Sequence, residues 1–329
     1  MRPLPRSPDL GRLIARIVDS VRRGSRALAA SRWSRSLRLI LLFAVIAVLG
    51  ERIHAIGLET IWQALPAAPV FYLLFVLLYA SLPISEAVIY ARLWRRPMWR
   101  HLGSLFLKQA YNFGILAYAG ESWLALWARR HLGLEVGTVL RAIKDNNIVS
   151  AFASNAMTLA LLLLILLFPG GLAALGTAIA PLALLGAAAV LAGIMVAVLL
   201  FRRRIFSLPR PALLRLFAIH LARLAIVVVL QALQWAVALP DVPLSLWIAL
   251  IGLQFVITRL PLVPNKDLVF LAVALGLLAG TGVDEGRLAA VLLASLGLAQ
   301  LAHLAVFVLS GARIAGRGAA EPIAIADGQ

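Results

Sequence analysis

The chain contains no cysteine, so disulfides, thiolate nucleophiles and cysteine-built metal sites are excluded, and the redox compartment cannot be read from it. Charge is scarce as well. Only 14% of the 329 residues are charged, against about 25% in an average soluble domain. Acidic residues number 14 and form no Asp-x-x-Asp cluster, the arrangement a divalent-metal prenyl transferase would need. No Gly-x-Ser-x-Gly elbow occurs, nor a Gly-rich phosphate loop ending in Lys-Ser or Lys-Thr, nor a His-Glu-x-x-His pair. His220 and His303 have no second histidine or carboxylate three or four residues on, so each reads as an imidazole satisfied inside a helix bundle, not as a metal ligand. The expectation is a protein that is not an enzyme and holds no cofactor.

What the chain has in abundance is apolar side chain. Hydrophobic residues make up 62% of it and mean hydropathy is +0.95, a surface that water would not dissolve. No alternating strand pattern appears, and backbone amides in lipid must bond within their own segment, so the fold class is all-α, a polytopic integral membrane protein. Apolar runs long enough to cross about 30 Å of hydrocarbon fall at Leu37 to Leu49, Pro69 to Arg92, Asn147 to Phe168, Leu172 to Phe201, Leu214 to Leu239 and Leu288 to Ser310. Six full crossings are therefore expected. Trp94, Trp99, Trp123, Trp127 and Trp247 stand near the ends of the apolar stretches, as interfacial anchors do.

The net charge of +17 sits at the ends of these runs and not on one aromatic-interleaved face, which argues against a nucleic-acid partner. Residues 1–35 carry Arg at many positions, with Leu10, Leu13, Ile14, Ile17, Val18 and Val21 at helical spacing. They read either as a basic amphipathic helix on an anionic cytoplasmic leaflet or as a solvated tail that sets topology. By the positive-inside rule, this segment, the loops at Arg92 to Arg100, Arg129 to Lys144 and Arg202 to Arg204, and the tail from 313 to 329, expected to be disordered, lie inside. The turns near Glu59, Pro169 and Asp241 lie outside. Both termini are then cytoplasmic, in an inner or plasma membrane.

Three shorter apolar stretches do not fit simple crossings. Gly103 to Gly120 begins and ends inside, while Leu244 to Thr258 and Leu268 to Gly280, broken at Pro261 and Pro264, lie between two outside points. The order of span, hairpin and span thus occurs twice in opposite orientation, about 69–168 and about 214–311 within a transmembrane domain of 36–312. Such a pair is the pattern of an inverted-topology repeat with two re-entrant or broken hairpins. Eight short ordinary spans remain the competing reading.

Polar residues concentrate in these hairpins. Lys108, Asn112 and Glu121 lie in the first, Arg259, Asn265, Lys266 and Asp267 in the second, and Glu86 follows Pro83 in the preceding span. Each buried charge costs about 2.5–3.5 kcal/mol on insertion scales, so pairing of Glu86 or Glu121 with Arg259 or Lys266 is expected. Snorkelling of Lys108 and Arg259 to the interface is the structural alternative. Together with exposed helix N-termini, the cations suit a phosphate or carboxylate head group, making anionic membrane lipids the expected partners.

The stretch from Asn112 through Gly120, Glu121 and Arg130 to Gly133 resembles the first motif of the flippase-like family, the transmembrane region of lysylphosphatidylglycerol synthases. Leu260-Pro261-Leu-Val-Pro264 followed by Gly280-Thr-Gly282 is similar to its second, proline-containing hairpin. This chain departs from the family in having Tyr118-Ala119 where Pro and Arg usually precede Gly-Glu, and Asn265-Lys266-Asp267 where a Gly-rich motif carries a Glu. The resemblance implies translocation of a lipid or lipid-linked substrate between leaflets. With no soluble domain after Gln329, it implies no aminoacyl transferase activity. The alternative is a non-transporting membrane subunit, in a homo-oligomer or membrane complex, anchoring a glycosyltransferase or other cell-envelope enzyme.

Overall fold

Long runs of Leu, Ala, Val and Ile, punctuated by Pro and Gly, give a computed structural model in which every regular element is helical. It describes residues 58–63, 65–114, 118–167, 181–259, 266–278 and 284–319, all within one compact unit, Leu49–Gln329. The expected amphipathic segment 1–35 and the span Leu37 to Leu49 lie outside the described residues, as do residues 168–180 and 260–265.

In chain order the helices are α1 (Leu58–Gln63), α2 (Pro69–Trp94), α3 (Leu102–Gly114), α4 (Ala119–Leu132), α5 (Val136–Leu167), α6 (Pro181–Leu200), α7 (Arg202–Ile205), α8 (Arg210–Ala238), α9 (Leu244–Arg259), α10 (Lys266–Leu278) and α11 (Glu285–Ala319). Four are long and apolar enough to cross a membrane: α2, α5, α8 and, over Gly286–Ser310, α11. The molecule is inverted relative to a soluble protein. Leu167 and Leu200 are 73% and 74% exposed, and Val76, Val190, Val229 and Leu309 also face outward, while Glu86, Lys108, Asn146 and His220 are buried. Hydrocarbon is the solvent that such an exterior fits.

Prolines set several boundaries. Pro69 starts α2, and Pro209 and Pro211 flank the first residue of α8, where a missing amide costs nothing. Pro83 sits inside α2, leaving the carbonyl one turn back without its helical donor. Some elements differ from the sequence-based bounds. The first hairpin does not end at Gly120 but continues to Leu132, because α4 runs on through an apolar face of Leu124, Trp127 and Ala128 packed against the start of α5. Helix α5 starts at Val136, well before Asn147, since Val139, Ala142 and Ile143 continue the buried stripe. Helix α11 carries on past Arg313 to Ala319, into the stretch expected to be tail.

The hairpins α3/α4 and α9/α10 are built from arms of 13 and 14, and of 16 and 13 residues. At about 1.5 Å per residue these reach about 20–24 Å, short of a full crossing. They pack at opposite ends of the same long helices. Around α3/α4, Leu105, Leu124 and Trp127 meet Tyr90 and Trp94 from the end of α2 and Val139 and Ile143 from the start of α5. Around α9/α10, Trp247, Leu250 and Phe270 meet Phe71 from the start of α2, Leu161 and Ile165 from the end of α5, and Trp235 from the end of α8. Each hairpin also reaches across the bundle, α3 packing on α11 and α9 on α5, while α2 and α8 form the central contact between them.

That α9–α5 contact is close because Gly252 has no side chain: a Cβ there would stand 2.6 Å from Ile165 Cδ1. Gly252→Val is expected to lower the stability of the detergent-solubilised protein by about 1–3 kcal/mol through overpacking. A thermal melt with an unchanged midpoint would contradict this packing.

Candidate functional site

The first hairpin closes through three short-range devices. Asn112, near the end of α3, accepts a hydrogen bond from the Gly120 amide at 2.7 Å through Oδ1 and donates from Nδ2 to Glu121 Oε1 at 3.1 Å. Tyr118 turns the chain into α4 with φ 71°, a left-handed conformation unusual for a bulky residue. Gly120 then lies directly against the Lys108 carbonyl oxygen, closer than any Cβ could stand. Only glycine allows the two arms to approach so far, and the approach is what brings Glu121 to Lys108.

Lys108 is the centre of the site. Its Nζ pairs with Glu86 of α2 and with Glu121 Oε1 of α4, the latter at 3.0 Å, so one buried ammonium joins three helices. Lys108 and Glu86 are 2% and 3% exposed, which settles the alternative of a snorkelling lysine. Each carboxylate leaves one buried oxygen, Oε2, with no donor. The expected partners Arg259 and Lys266 are not the ones used. Lys108 lies one helical arm away from Glu121 and reaches it first, whereas Lys266 Nζ donates 2.8 Å to the Thr258 carbonyl and so caps the C-terminal end of α9. Asn265 lies outside the described residues, and α10 contains Asp267 in its first turn.

A second row of polar groups adjoins the triad. Tyr90, one turn beyond Glu86, accepts from Asn146 Nδ2 at 3.3 Å, and Asn146 Oδ1 lies 2.9 Å from His220 Nε2 on α8. Farther along, Gln234 of α8 donates to the Phe71 carbonyl of α2 at 3.4 Å. These two links fix α2 and α8 antiparallel, in a register that sets Arg223 level with Glu86. The Glu86 carboxylate attracts Arg223 and the Arg259 guanidinium repels it. Arg259 ends α9, the same distance as Arg223 from the turn joining α8 to α9, and interacts electrostatically with Tyr118. The Nε atoms of both arginines are buried without a hydrogen-bond partner.

Of the eight residues singled out from sequence, Glu86, Lys108, Asn112 and Glu121 form one cluster and Arg259 adjoins it through Arg223. Lys266 serves the second hairpin's backbone. Arg223, Asn146 and Tyr90 were missed. An arginine in the interior of the Leu214 to Leu239 run carries its own signal, because an unpaired charge there is costly. Asn146 carries none, since it sits among the polar residues of a presumed loop end. His220 is bonded through Nε2 to Asn146 while its Nδ1 is buried without a hydrogen-bond partner, and His303 Nδ1 lies 2.9 Å from the Tyr79 hydroxyl. Among the described residues no group of three His, Asp or Glu side chains converges to hold a metal ion. Asp145, fully buried, accepts from the Ser207 and Leu208 amides at 2.9 and 2.8 Å, and this ties the loop before α8 to α5.

No family model, curated protein or solved structure matches this chain.

Two substitutions test the site's construction. Lys108→Met leaves two carboxylates buried without their shared cation and is expected to cost about 3–5 kcal/mol. Adding Glu86→Gln and Glu121→Gln recovers most of that loss in a denaturation midpoint; equal losses in the single and triple variants would mean that ion pairing does not hold the hairpin. Gly120→Ala, whose methyl group would meet backbone and not a movable side chain, is expected to lower the melting temperature of the solubilised protein. An Ala variant as stable as the parent would sink the close-approach reading.

Proposed function

We propose that this protein is a transporter of the inner or plasma membrane that moves a lipid or lipid-linked anionic substrate between leaflets, without catalysing a covalent step. The observation that carries the reading is the cluster of buried Glu86 and Lys108 with half-buried Glu121, Arg223 and Arg259. Charges are not kept inside a lipid-facing bundle for stability, since apolar replacements of similar volume serve stability equally well. They mark a path for a polar group.

The architecture supports the same reading. In each half a long helix leads to a hairpin of half-length arms and then to another long helix, α2–α3/α4–α5 and α8–α9/α10–α11. The cross-contacts α3 on α11 and α9 on α5 are reciprocal, as a two-fold axis between α2 and α8 requires. An inverted repeat of this kind places a binding site where hairpin ends and long helices meet, and rocking of one half against the other opens it to alternate sides. Six crossings follow when Leu37 to Leu49 and Leu172 to Phe201 join α2, α5, α8 and α11. The arginine-rich loops then put both termini in the cytoplasm. Glu86 stands about 12 Å along α2 from Trp94, placing the cluster nearer the cytoplasmic face.

Orientation is directly testable because the chain supplies its own cysteine-free background. Ser207→Cys is expected to react with an impermeant maleimide only from the cytoplasmic side of sealed vesicles, and Asp241→Cys only from the other; labelling of both from one side would refute the topology. For transport, reconstituted vesicles carrying fluorescent phosphatidylglycerol report its passage between leaflets. Lys108→Gln and Glu121→Gln are expected to slow passage about tenfold or more, the factor that about 1.4 kcal/mol of lost interaction gives. Parent-like rates in both variants, in correctly folded protein, would instead favour a membrane subunit that anchors a partner enzyme.

A further inference from the structure

We propose that Arg223 and Arg259 form a receptor for a singly charged phosphate diester, so that the substrate's phosphate bridges the two halves of the bundle above the Lys108 triad. This rests on the transport reading and names the chemistry of its substrate.

The charge count comes first. Two carboxylates, Glu86 and Glu121, face three cations, Lys108, Arg223 and Arg259, and the triad itself takes up both carboxylates around Lys108. One positive charge is left over. It resides on the arginine pair, where the guanidiniums of α8 and α9 repel each other and each buries an Nε that donates to nothing. A buried donor without an acceptor costs about 1–3 kcal/mol, more when it is charged, so the folded chain carries a deficit that one anion removes. Guanidinium forks bind phosphate oxygens in pairs, and two forks side by side suit the two non-bridging oxygens of a diester. A diester carries one negative charge, which matches the excess. A dianionic phosphomonoester would overshoot it.

The surroundings indicate where the rest of such a molecule would lie. A cavity of about 320 Å³ opens beside Tyr118, which interacts electrostatically with Arg259. On α5 it is lined by Lys144, Asn147 and Asn155 with Ile148, Ala151 and Phe152 among them, and on α6 by the apolar Ile194, Met195 and Val198. Two amides and an ammonium set among apolar side chains match an amphiphile, with its phosphate toward Arg259 and an acyl chain along α6. The two arginines come from one half of the bundle and the lysine triad from the other.

Equilibrium binding to the solubilised full chain tests this independently of transport. Short-chain phosphatidylglycerol is the probe, diacylglycerol the control without phosphate, and inorganic phosphate the soluble competitor. The parent is expected to bind phosphatidylglycerol and to melt at higher temperature with it, and not with diacylglycerol. Arg223→Gln/Arg259→Gln is expected to bind about tenfold more weakly or worse, and to melt above the ligand-free parent because the repulsion is gone. Arg259→Lys, which keeps the charge and loses the fork, should fall between. Competition by millimolar inorganic phosphate identifies a soluble phosphate as the occupant; no competition assigns the phospholipid head group, and both support the receptor. Undiminished phosphatidylglycerol binding by the double variant overturns it, as does equal binding of diacylglycerol by the parent. If binding behaves as expected while vesicles show no passage of lipid, the receptor stands and the transport reading fails.

Discussion

Lys108 bonded to two carboxylates inside an apolar bundle is the constraint on which the rest of this molecule turns. An ammonium at this depth is tolerable only with counter-charges in contact, and a carboxylate only with a cation. Satisfying both demands requires α2, α3 and α4 to meet within a few ångströms, and that requirement reaches back into the chain. Gly120 has no Cβ so that the arms can touch, Asn112 fastens the tip, and Tyr118 adopts a left-handed turn to redirect the backbone. A hairpin too short to span the membrane is anchored by its charges more than by its length.

The same interaction leaves the site unfinished. Both glutamates are committed to Lys108 through one oxygen each, and their second oxygens lie buried without donors. A cluster optimised for stability would carry equal numbers of both signs or none. The cluster carries three cations against two carboxylates, the excess on which the proposed anion receptor rests. The Tyr90–Asn146–His220 chain beside it links α2, α5 and α8 and holds them in register.

How much of this was legible in the sequence differs by element. The long helices α2, α8 and α11 follow from runs of apolar residues between basic loops, since nothing else can happen to such a run in lipid. The half-length hairpins were legible through charge position, because stretches starting and ending on one side cannot be crossings. Glu86, Lys108, Asn112 and Glu121 could be picked out one by one from the cost of burying each. Their partnership could not. Lys108 and Glu86 are separated by a basic loop and a turn of 3-10 helix at Met98–His101, and only the folding back of α3 decides that Lys108 and not Arg259 reaches Glu86.

Composition and charge spacing by themselves determined that this chain is helical, that it belongs in a membrane, and which polar residues must find company. Those properties are local, depending on how many apolar residues follow one another and what lies at their ends. The tertiary structure alone decided who pairs with whom. Arg223 rises into the site because hydrogen bonds at Phe71 and at Asn146 set the α2–α8 register, and Arg259 because it stands level with Arg223 across the α8–α9 turn. Lys266 is drawn away to a helix end that needs a donor. Electrostatic partnership depends on distance in space, which a linear order of residues does not contain.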